Sequence, residues 1–528
     1  MTDVIVIGGG PNGLTAAAFL AKTGLSVLVL EGSDRPGGAA RTGEIAQGFR
    51  CPTLAHAAAI DPAIVRALAL DRHGLEILHP AADVCSPGID GRALVLWRDV
   101  TRAAGELRAQ SPRDGDRYAA FVDSFGNISR VVRALCESTP PSIDDPSAGD
   151  LIQLLKAGRA FRSLGKADEY RLLRWLPMAA ADFAGEWFES EPMRATVAAS
   201  GVLGSFLGPW SAGSAAVLML LGASDGRAVA PGWFARGGSG AVGDALANAA
   251  RQAGATIRTT ARVSRIDVKD GAATGVTLDN GEQLPARAVA SSLDPKRTLL
   301  GMIDLEALEP EFVRRIQNIR IVGTLAKINF AVDALPRFAA LRSRDAADQA
   351  AALSGRIRLA RDIDAIERAF DAAKYGGFSQ EPWIELTIPS ISDASLAPNG
   401  RHVVSAYVQY APYRLRGTTW DAERDNLADA ATRTIESYAP GFTGSIVARE
   451  TITPLDLERT YGLTGGHIFH GELALDQLFV TRPVLGWAQY ATPIGNLYLC
   501  GSGAHPGTGL NGRTGALAAK RIAADLRR

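Results

Sequence analysis

Val4-Ile5-Val6-Ile7 is an apolar, β-branched run that stops at Gly8, the pattern of a short parallel strand buried on both faces. Gly8-Gly9-Gly10-Pro11-Asn12-Gly13 follows directly, then apolar positions at helical spacing over 14–22, a glycine stop at Gly24, and a second apolar run over 26–30 that ends in Glu31. This order of strand, glycine turn, helix, strand and acid predicts a dinucleotide-binding unit. Gly8 permits the tight turn, Gly10 lets the backbone approach a pyrophosphate, and Gly13 with Ala17 allows close packing of helix on strand. Pro11 and Asn12 belong to the same turn and are counted with the cofactor-binding residues. Glu31 is placed to accept from a ribose hydroxyl, and an acid there disfavours a 2′-phosphate.

Asp34-Arg35-Pro36-Gly37-Gly38-Ala39-Ala40-Arg41 comes next. Its paired glycines, Gly37 and Gly38, let the chain pass close to something large, and Arg35 and Arg41 can neutralise phosphate. Nicotinamide-binding units do not need this second loop, so it favours FAD over NAD. Further on, Gly238-Ser239-Gly240-Ala241-Val242-Gly243 repeats the G-x-G-x-x-G spacing. The strand predicted after it, over 255–260, ends without an acid, so the motif reads as a close-packed turn into a helix. Short strands over 262–268, 275–278 and 286–291, with a hairpin signal at Asp279-Asn280-Gly281, predict a small meander returning to the cofactor sheet. A last strand over 496–500 enters the glycine-dense loop 501–512, which opens an alanine-rich helix and offers backbone N–H groups to a flavin.

Two long stretches separate these pieces. Residues 76–230 predict mainly helix, including 152–161 and 170–183. Residues 301–485 mix helices with strands over 323–332, 383–388 and 403–410. The stretch 195–224 holds no charged residue, but its many glycines and Gly208-Pro209 predict two short buried helices around a turn rather than a membrane span. The expected fold class is therefore α/β: a Rossmann-type FAD-binding domain (1–75, 232–300 and 486–528) interleaved with an α+β substrate or cap domain of mixed sheet plus helices (76–231 and 301–485).

Composition narrows the function. The 528 residues carry 56 basic and 56 acidic side chains, a formal net charge of zero, and 47% are apolar. That balance excludes a disordered chain and a dedicated nucleic-acid binder. Four cysteines without a CxxC pair exclude a disulfide framework and disulfide-reductase chemistry. Met1-Thr2-Asp3 lacks a basic n-region, so a cytoplasmic protein is expected.

Taken together, these stretches resemble the phytoene desaturase-like branch of the amine-oxidase-type flavoproteins, and within it the group of pyridine nucleotide-disulfide oxidoreductase domain-containing protein 2. The resemblance rests on Gly8–Gly13 with Glu31, on Arg35-Pro36-Gly37-Gly38-Ala39, on Gly237–Ala241, and on Thr453–Arg459, Gly465–Gly471 and Pro483–His505. It implies one FAD, with Val263 at the adenine and Gly501, Ser502, Gly509, Leu510 and Asn511 at the pyrophosphate and flavin. Two departures stand out. Many relatives read Gly-Gly-Arg where this chain has Gly37-Gly38-Ala39, with Arg41 two places later. Polyene desaturases commonly carry Asp-x-Gly-Pro after a Gly-Phe pair, but Gly48-Phe49 is followed by Arg50-Cys51-Pro52-Thr53.

The resemblance implies an FAD-dependent oxidoreductase that desaturates, saturates or isomerises C–C bonds of an apolar, polyene- or isoprenoid-like substrate. The same fold supports amine or alcohol oxidation, a mainly regulatory flavoprotein, or a flavin-free binding protein like the Rab GDP-dissociation inhibitors. The intact glycine set with Glu31 argues against the last. Neither a nucleic-acid partner nor a transmembrane segment is expected, and peripheral membrane contact stays open. Because a flavin performs the hydride step itself, no metal site is expected. His505, inside the C-terminal loop, is the candidate catalytic residue near the ring. His56 is a weaker one, His467 and His470 are expected to pack beside Gly465-Gly466, and Cys51 is expected to be an inert buried thiol.

Overall fold

The first apolar run becomes the strand Thr2–Ile7, held parallel between Val27–Leu30 and Gln283–Ser291. The computed structural model describes every residue except Met1, His56, Asp225, Ala230, Pro231, Gly232 and Arg528. The first sheet runs Val263–Lys269, Ala272–Leu278, Gln283–Ser291, Thr2–Ile7, Val27–Leu30, Thr256–Arg258, and Leu497–Leu499 adds a parallel seventh strand beside Gln283–Ser291. Three separate stretches of the chain thus build one parallel core, with the 263–285 hairpins at its edge. Helices Pro11–Ala21 and Arg513–Asp525 pack against each other so closely that a Cβ on Gly515 would stand 2.0 Å from the Asn12 carbonyl oxygen.

A second seven-stranded sheet runs Ile446–Ile452, Leu325–Val332, His402–Gln409, Trp383–Thr387, Arg356–Leu359, Ala82–Pro87, Ala93–Trp97. All its pairings are antiparallel except Arg356–Leu359 with Ala82–Pro87. One face is apolar, with Ile328, Phe330, Ile357, Ile384, Leu386, Ala406 and Val408 buried among helices. The other carries Lys327, Asn329, Arg356, Arg358, Glu385, Thr387, Ser405 and Tyr407, all buried as well. A strand alternates its faces, so the register makes these polar residues one continuous patch: Arg358 opposite Glu385, Glu385 opposite Tyr407, Tyr407 opposite Lys327.

Two expectations need correction. The region 76–230 is not helical from its start, because Ala82–Pro87 and Ala93–Trp97 form a hairpin at the edge of the second sheet. The helix expected over 170–183 is two helices, Gly165–Trp175 and Ala180–Trp187, since Pro177 cannot continue the first. The uncharged stretch holds the end of helix Glu191–Ala198 and the whole of helix Ser214–Gly222, on either side of Gly208-Pro209. Among the described residues no helix is long and apolar enough to cross a membrane.

Candidate active site

The glycine turn at the end of Thr2–Ile7 is shaped by contacts that admit no side chain. A Cβ on Gly13 would lie 2.1 Å from the Gly8 carbonyl oxygen, and one on Gly8 would meet Ser292 Oγ at 2.5 Å. A Cβ on Gly38 would press on Gly10 Cα at 2.9 Å, so the second loop is stacked directly on the first. Gly10 is different: its Cβ would meet nothing nearer than Gly38 Cα at 3.9 Å. This is a cradle with room over Gly10 and none behind it.

A cavity opens there, lined by Gly8, Gly10, Pro11, Asn12, Glu31, Gly38, Arg41, Val263, Ser502, Gly509 and Leu510 of the expected residues. Arg262, Arg297, Arg459 and His470 line it too, and sequence reasoning missed them as cofactor-cavity residues. Four guanidiniums around one carboxylate, Glu31, suit a pyrophosphate. Glu31 Oε2 accepts from the Gly9 N–H at 2.8 Å, and Oε1 accepts from the Ser33 N–H at 2.8 Å and its hydroxyl at 2.7 Å, so the acid is oriented before any ribose arrives. The Arg41 guanidinium donates to Ser33 Oγ and, at 2.6 Å, to the Arg35 carbonyl. Arg41 Nε and Asn12 Oδ1 are buried with no partner among the described residues. Orphaned polar atoms facing a cationic, glycine-floored cavity fit a bound dinucleotide.

Other expected residues act from outside the lining. Gly13 and Gly37 serve packing, Gly37 against the Ala40 carbonyl oxygen at 2.9 Å. Gly501 also packs, since its Cβ would strike the Ser292 carbonyl oxygen at 2.2 Å. The 238–243 motif supports this loop from behind: Cβ atoms on Gly240 and Gly243 would meet Thr42 N at 2.7 Å and Gly37 Cα at 2.9 Å. Asn12 Nδ2 donates to the Gly509 carbonyl at 2.9 Å, tying the first glycine turn to the last loop.

That last loop is held by Arg482. Its buried guanidinium donates to the carbonyls of Phe469 at 2.7 Å, Gly471 at 3.3 Å, Glu472 at 3.1 Å, Gln477 at 3.2 Å and Ser502 at 2.9 Å. Burial pushes its pKa down to about 10, still cationic at neutral pH. Ser502 Oγ in turn accepts from the Gly509 N–H at 2.9 Å.

His505, the candidate near the ring, is buried. Its Nε2 meets the Leu135 carbonyl at 3.1 Å, Phe479 sits edge-on at 5.4 Å, and it is not among the described residues lining the cofactor cavity or its neighbour. Burial, with the Arg482 cation beside it, pushes its imidazole down to about 4. The unfolded chain binds that proton near 6.5, so the folded state loses stability as pH falls from 6.5 towards 4, by about 1.4 kcal/mol per unit. H505Q is expected to show a shallower decline of Tm across that window than the wild type. His470 is likewise held down to about 4 by burial, and its Nδ1 has no partner among the described residues although it lines the cofactor cavity. His467 is buried, its Nδ1 accepting from the Phe469 N–H at 3.2 Å. His56 lies outside the described residues.

A second cavity adjoins the first and shares Ala39, Ile468, Gly509 and Leu510 with it. Leu54, Ile60, Leu203, Leu218, Leu221, Trp233 and Phe469 make it strongly apolar, and Asn511 lines this cavity rather than the first. The uncharged stretch supplies six of its lining residues: Ser200, Leu203, Leu218, Leu221, Gly222 and Ser224. Arg356, Arg358 and Tyr407 reach it from the polar face of the second sheet.

Comparison with known proteins decides what this pair of cavities belongs to. The family model for flavin containing amine oxidoreductases matches residues 189–525, well over half of the chain. The chain belongs to that family. The NAD(P)-binding Rossmann-like domain model matches residues 6–69. Rat pyridine nucleotide-disulfide oxidoreductase domain-containing protein 2 is 37% identical, over 99% of this chain and 94% of the rat protein. The lycopene-forming phytoene desaturase of Pantoea ananas is 26% identical over 98% and 97%. Among solved structures, cyclohexylamine oxidase from Brevibacterium oxydans superposes over 100% of both chains with a TM-score of 0.59 at 16% identity, a likeness of fold. This flavin containing amine oxidoreductase is thus an FAD-dependent oxidoreductase. All four of its cysteines are free, and burial pushes Cys51 up to about 11 and Cys85, Cys136 and Cys500 up to about 12, far from the thiolates that disulfide exchange requires.

Proposed function

We propose that this enzyme makes, removes or moves C–C double bonds in an apolar substrate bound in the second cavity. The observation that carries the reading is the shared wall: an apolar chamber meets the cofactor cavity at Ala39, Ile468, Gly509 and Leu510. The full-length similarity to a protein named phytoene desaturase supports it. When bound, FAD supplies two-electron hydride exchange at its ring. The chain's own part is binding, orientation and exclusion of water. Gly8, Gly10, Pro11, Asn12, Gly38 and Arg41 would hold the pyrophosphate and Glu31 the ribose, with Val263 beside the adenine. Ser502, Gly509 and Leu510 would meet the flavin from the other side. In this reading 1–75, 232–300 and 486–528 form the cofactor domain, and 76–231 and 301–485 enclose the substrate.

Glu31→Ala is expected to weaken FAD retention at least tenfold, since about 1.4 kcal/mol or more rides on a charge-assisted bond. Equilibrium dialysis of FAD against wild type and variant checks this, and equal affinity would remove the ribose assignment. The reaction class is tested by mixing the flavin-loaded protein anaerobically with apolar alkenes and polyenes, and separately with alkylamines and alcohols. Change of the flavin spectrum with the hydrocarbons, and a product altered in double bonds, is the expected result. Turnover of amines or alcohols alone would overturn it.

A further inference from the structure

One residue at the join between the two cavities has a geometry that packing does not explain. Ile468, Phe469 and His470 form a partition there: Ile468 lines both cavities, Phe469 the apolar one and His470 the cofactor one. His470 has a φ of +58°, left-handed backbone that is uncommon outside glycine. The conformation is held from both sides. The His470 N–H donates to the His467 carbonyl at 3.2 Å, and Arg482 Nη2 donates to the carbonyls of Phe469 at 2.7 Å and Gly471 at 3.3 Å. The imidazole is buried, and its Nδ1 has no hydrogen-bond partner among the described residues. Polar neighbours are not lacking, since Asp294, Arg297, His467 and Arg482 lie close enough to act on its charge. Each is engaged elsewhere. Asp294 accepts from the Arg297 N–H at 2.9 Å and from the Thr464 hydroxyl, and the Arg297 guanidinium donates to the Gly462 carbonyl at 2.9 Å. His467 Nδ1 accepts from the Phe469 N–H at 3.2 Å, and Arg482 gathers the loop carbonyls.

A left-handed non-glycine backbone and an unsatisfied buried donor both cost stability, and such costs concentrate at ligand and active sites. The partition also indicates which end of the cofactor lies beside His470. Electrons can pass into the apolar chamber only where the two cavities meet, at Ala39, Ile468, Gly509 and Leu510, and His470 stands two residues along the chain from Ile468 in that wall. We propose that His470 donates a hydrogen bond from Nδ1 to the flavin ring of bound FAD, positioning the ring and tuning its redox balance. This rests on the reading of the second cavity as the substrate site, which puts the flavin at the shared wall. Burial keeps the imidazole neutral at neutral pH, so the ring carries a single N–H. A donor at the flavin favours the electron-rich reduced ring over the oxidised one.

The test uses protein labelled with 15N at its seven histidines, stripped of flavin and then titrated with ADP and with FAD. The spectrum of H470N identifies the His470 ring signals. FAD is expected to move them, and ADP, which lacks the flavin, to leave them in place. H470G removes the ring on a backbone that glycine adopts freely. It should bind FAD at least tenfold more weakly and favour reduced over oxidised flavin at least tenfold less, a midpoint potential about 30 mV lower. H470N suits the left-handed backbone and brings an amide N–H to the place of Nδ1, so it should restore both quantities to within about threefold. A purely structural histidine would lower Tm in H470G and leave the potential unmoved, which overturns the hydrogen bond. If H470G holds no FAD, the potential of H470N and the labelled wild-type titration decide the matter. His470 signals that ignore FAD while FAD binds overturn the contact and leave both cavities standing. Signals that move as far with ADP as with FAD put His470 at the nucleotide end, removing the flavin from the shared wall and this inference with it.

Discussion

Arg482→Met should give a protein that loses FAD on gel filtration and melts well below the wild type. The side chain fits the space, but the cation that gathers five carbonyl oxygens from 469–477 and Ser502 is gone. Those carbonyls are buried, and each one left without a donor costs about 1–3 kcal/mol, so relaxation of the loops still leaves a loss of roughly 3–5 kcal/mol. The loss falls on the cofactor side because Ser502 holds Gly509, and Gly509 holds Asn12. Gly507 is part of the same arrangement: a Cβ there would stand 2.0 Å from Arg482 Nε. The flavin-to-protein absorbance ratio and a thermal melt measure both effects. A variant with full flavin content and an unchanged Tm would show that the loop stands without its guanidinium.

The two glycines of the first turn should fail in different ways. Gly13→Ala forces a methyl to within 2.1 Å of a backbone oxygen, with Ser292 Oγ at 3.0 Å behind it. The backbone oxygen cannot move aside, so the helix must lift from the strand, at about 3 kcal/mol or more. Little soluble protein, or protein without flavin and with a depressed Tm, is expected. Gly10→Ala places its methyl in open space over the cradle, with φ in the ordinary range. That variant should fold with nearly wild-type stability yet bind FAD at least a hundredfold more weakly, because the methyl occupies the approach of the pyrophosphate. Calorimetry of the apoproteins and FAD titration separate the two. Equal FAD affinity in G10A and wild type would mean that the dinucleotide does not cross this turn.

What could be read along the chain, and what could not, follows from how far apart the determining contacts lie. The Gly8–Gly13 turn, Glu31 and the strand 26–30 form one local unit, and its chemistry is set within thirty residues. The 238–243 motif was also readable as packing, because the strand after it lacked a terminal acid. Position in a flavin loop does not say which way His505 points, and its contacts with Leu135 and Phe479 come only from the tertiary fold. Arg297, Arg459 and His470 reach the cofactor cavity only through the tertiary arrangement. The polar face of the second sheet left a signal that went unread. Arg356-Ile357-Arg358-Leu359, Trp383-Ile384-Glu385-Leu386 and Lys327-Ile328-Asn329-Phe330 alternate as strands with one polar face. Only the cross-strand register shows that those charges gather at one wall rather than face water.

The bond from Asn12 to Gly509 joins residues 497 positions apart. It also fixes an order of events. While the chain is being synthesised, Gly8–Gly13 leaves the ribosome long before its partner loop and the strand Leu497–Leu499. The early segment therefore waits, its apolar strand unpaired on the Gln283–Ser291 side, through most of translation. Cofactor capture becomes a late, whole-chain event, and the unfilled Rossmann unit is the piece most in need of chaperone cover beforehand.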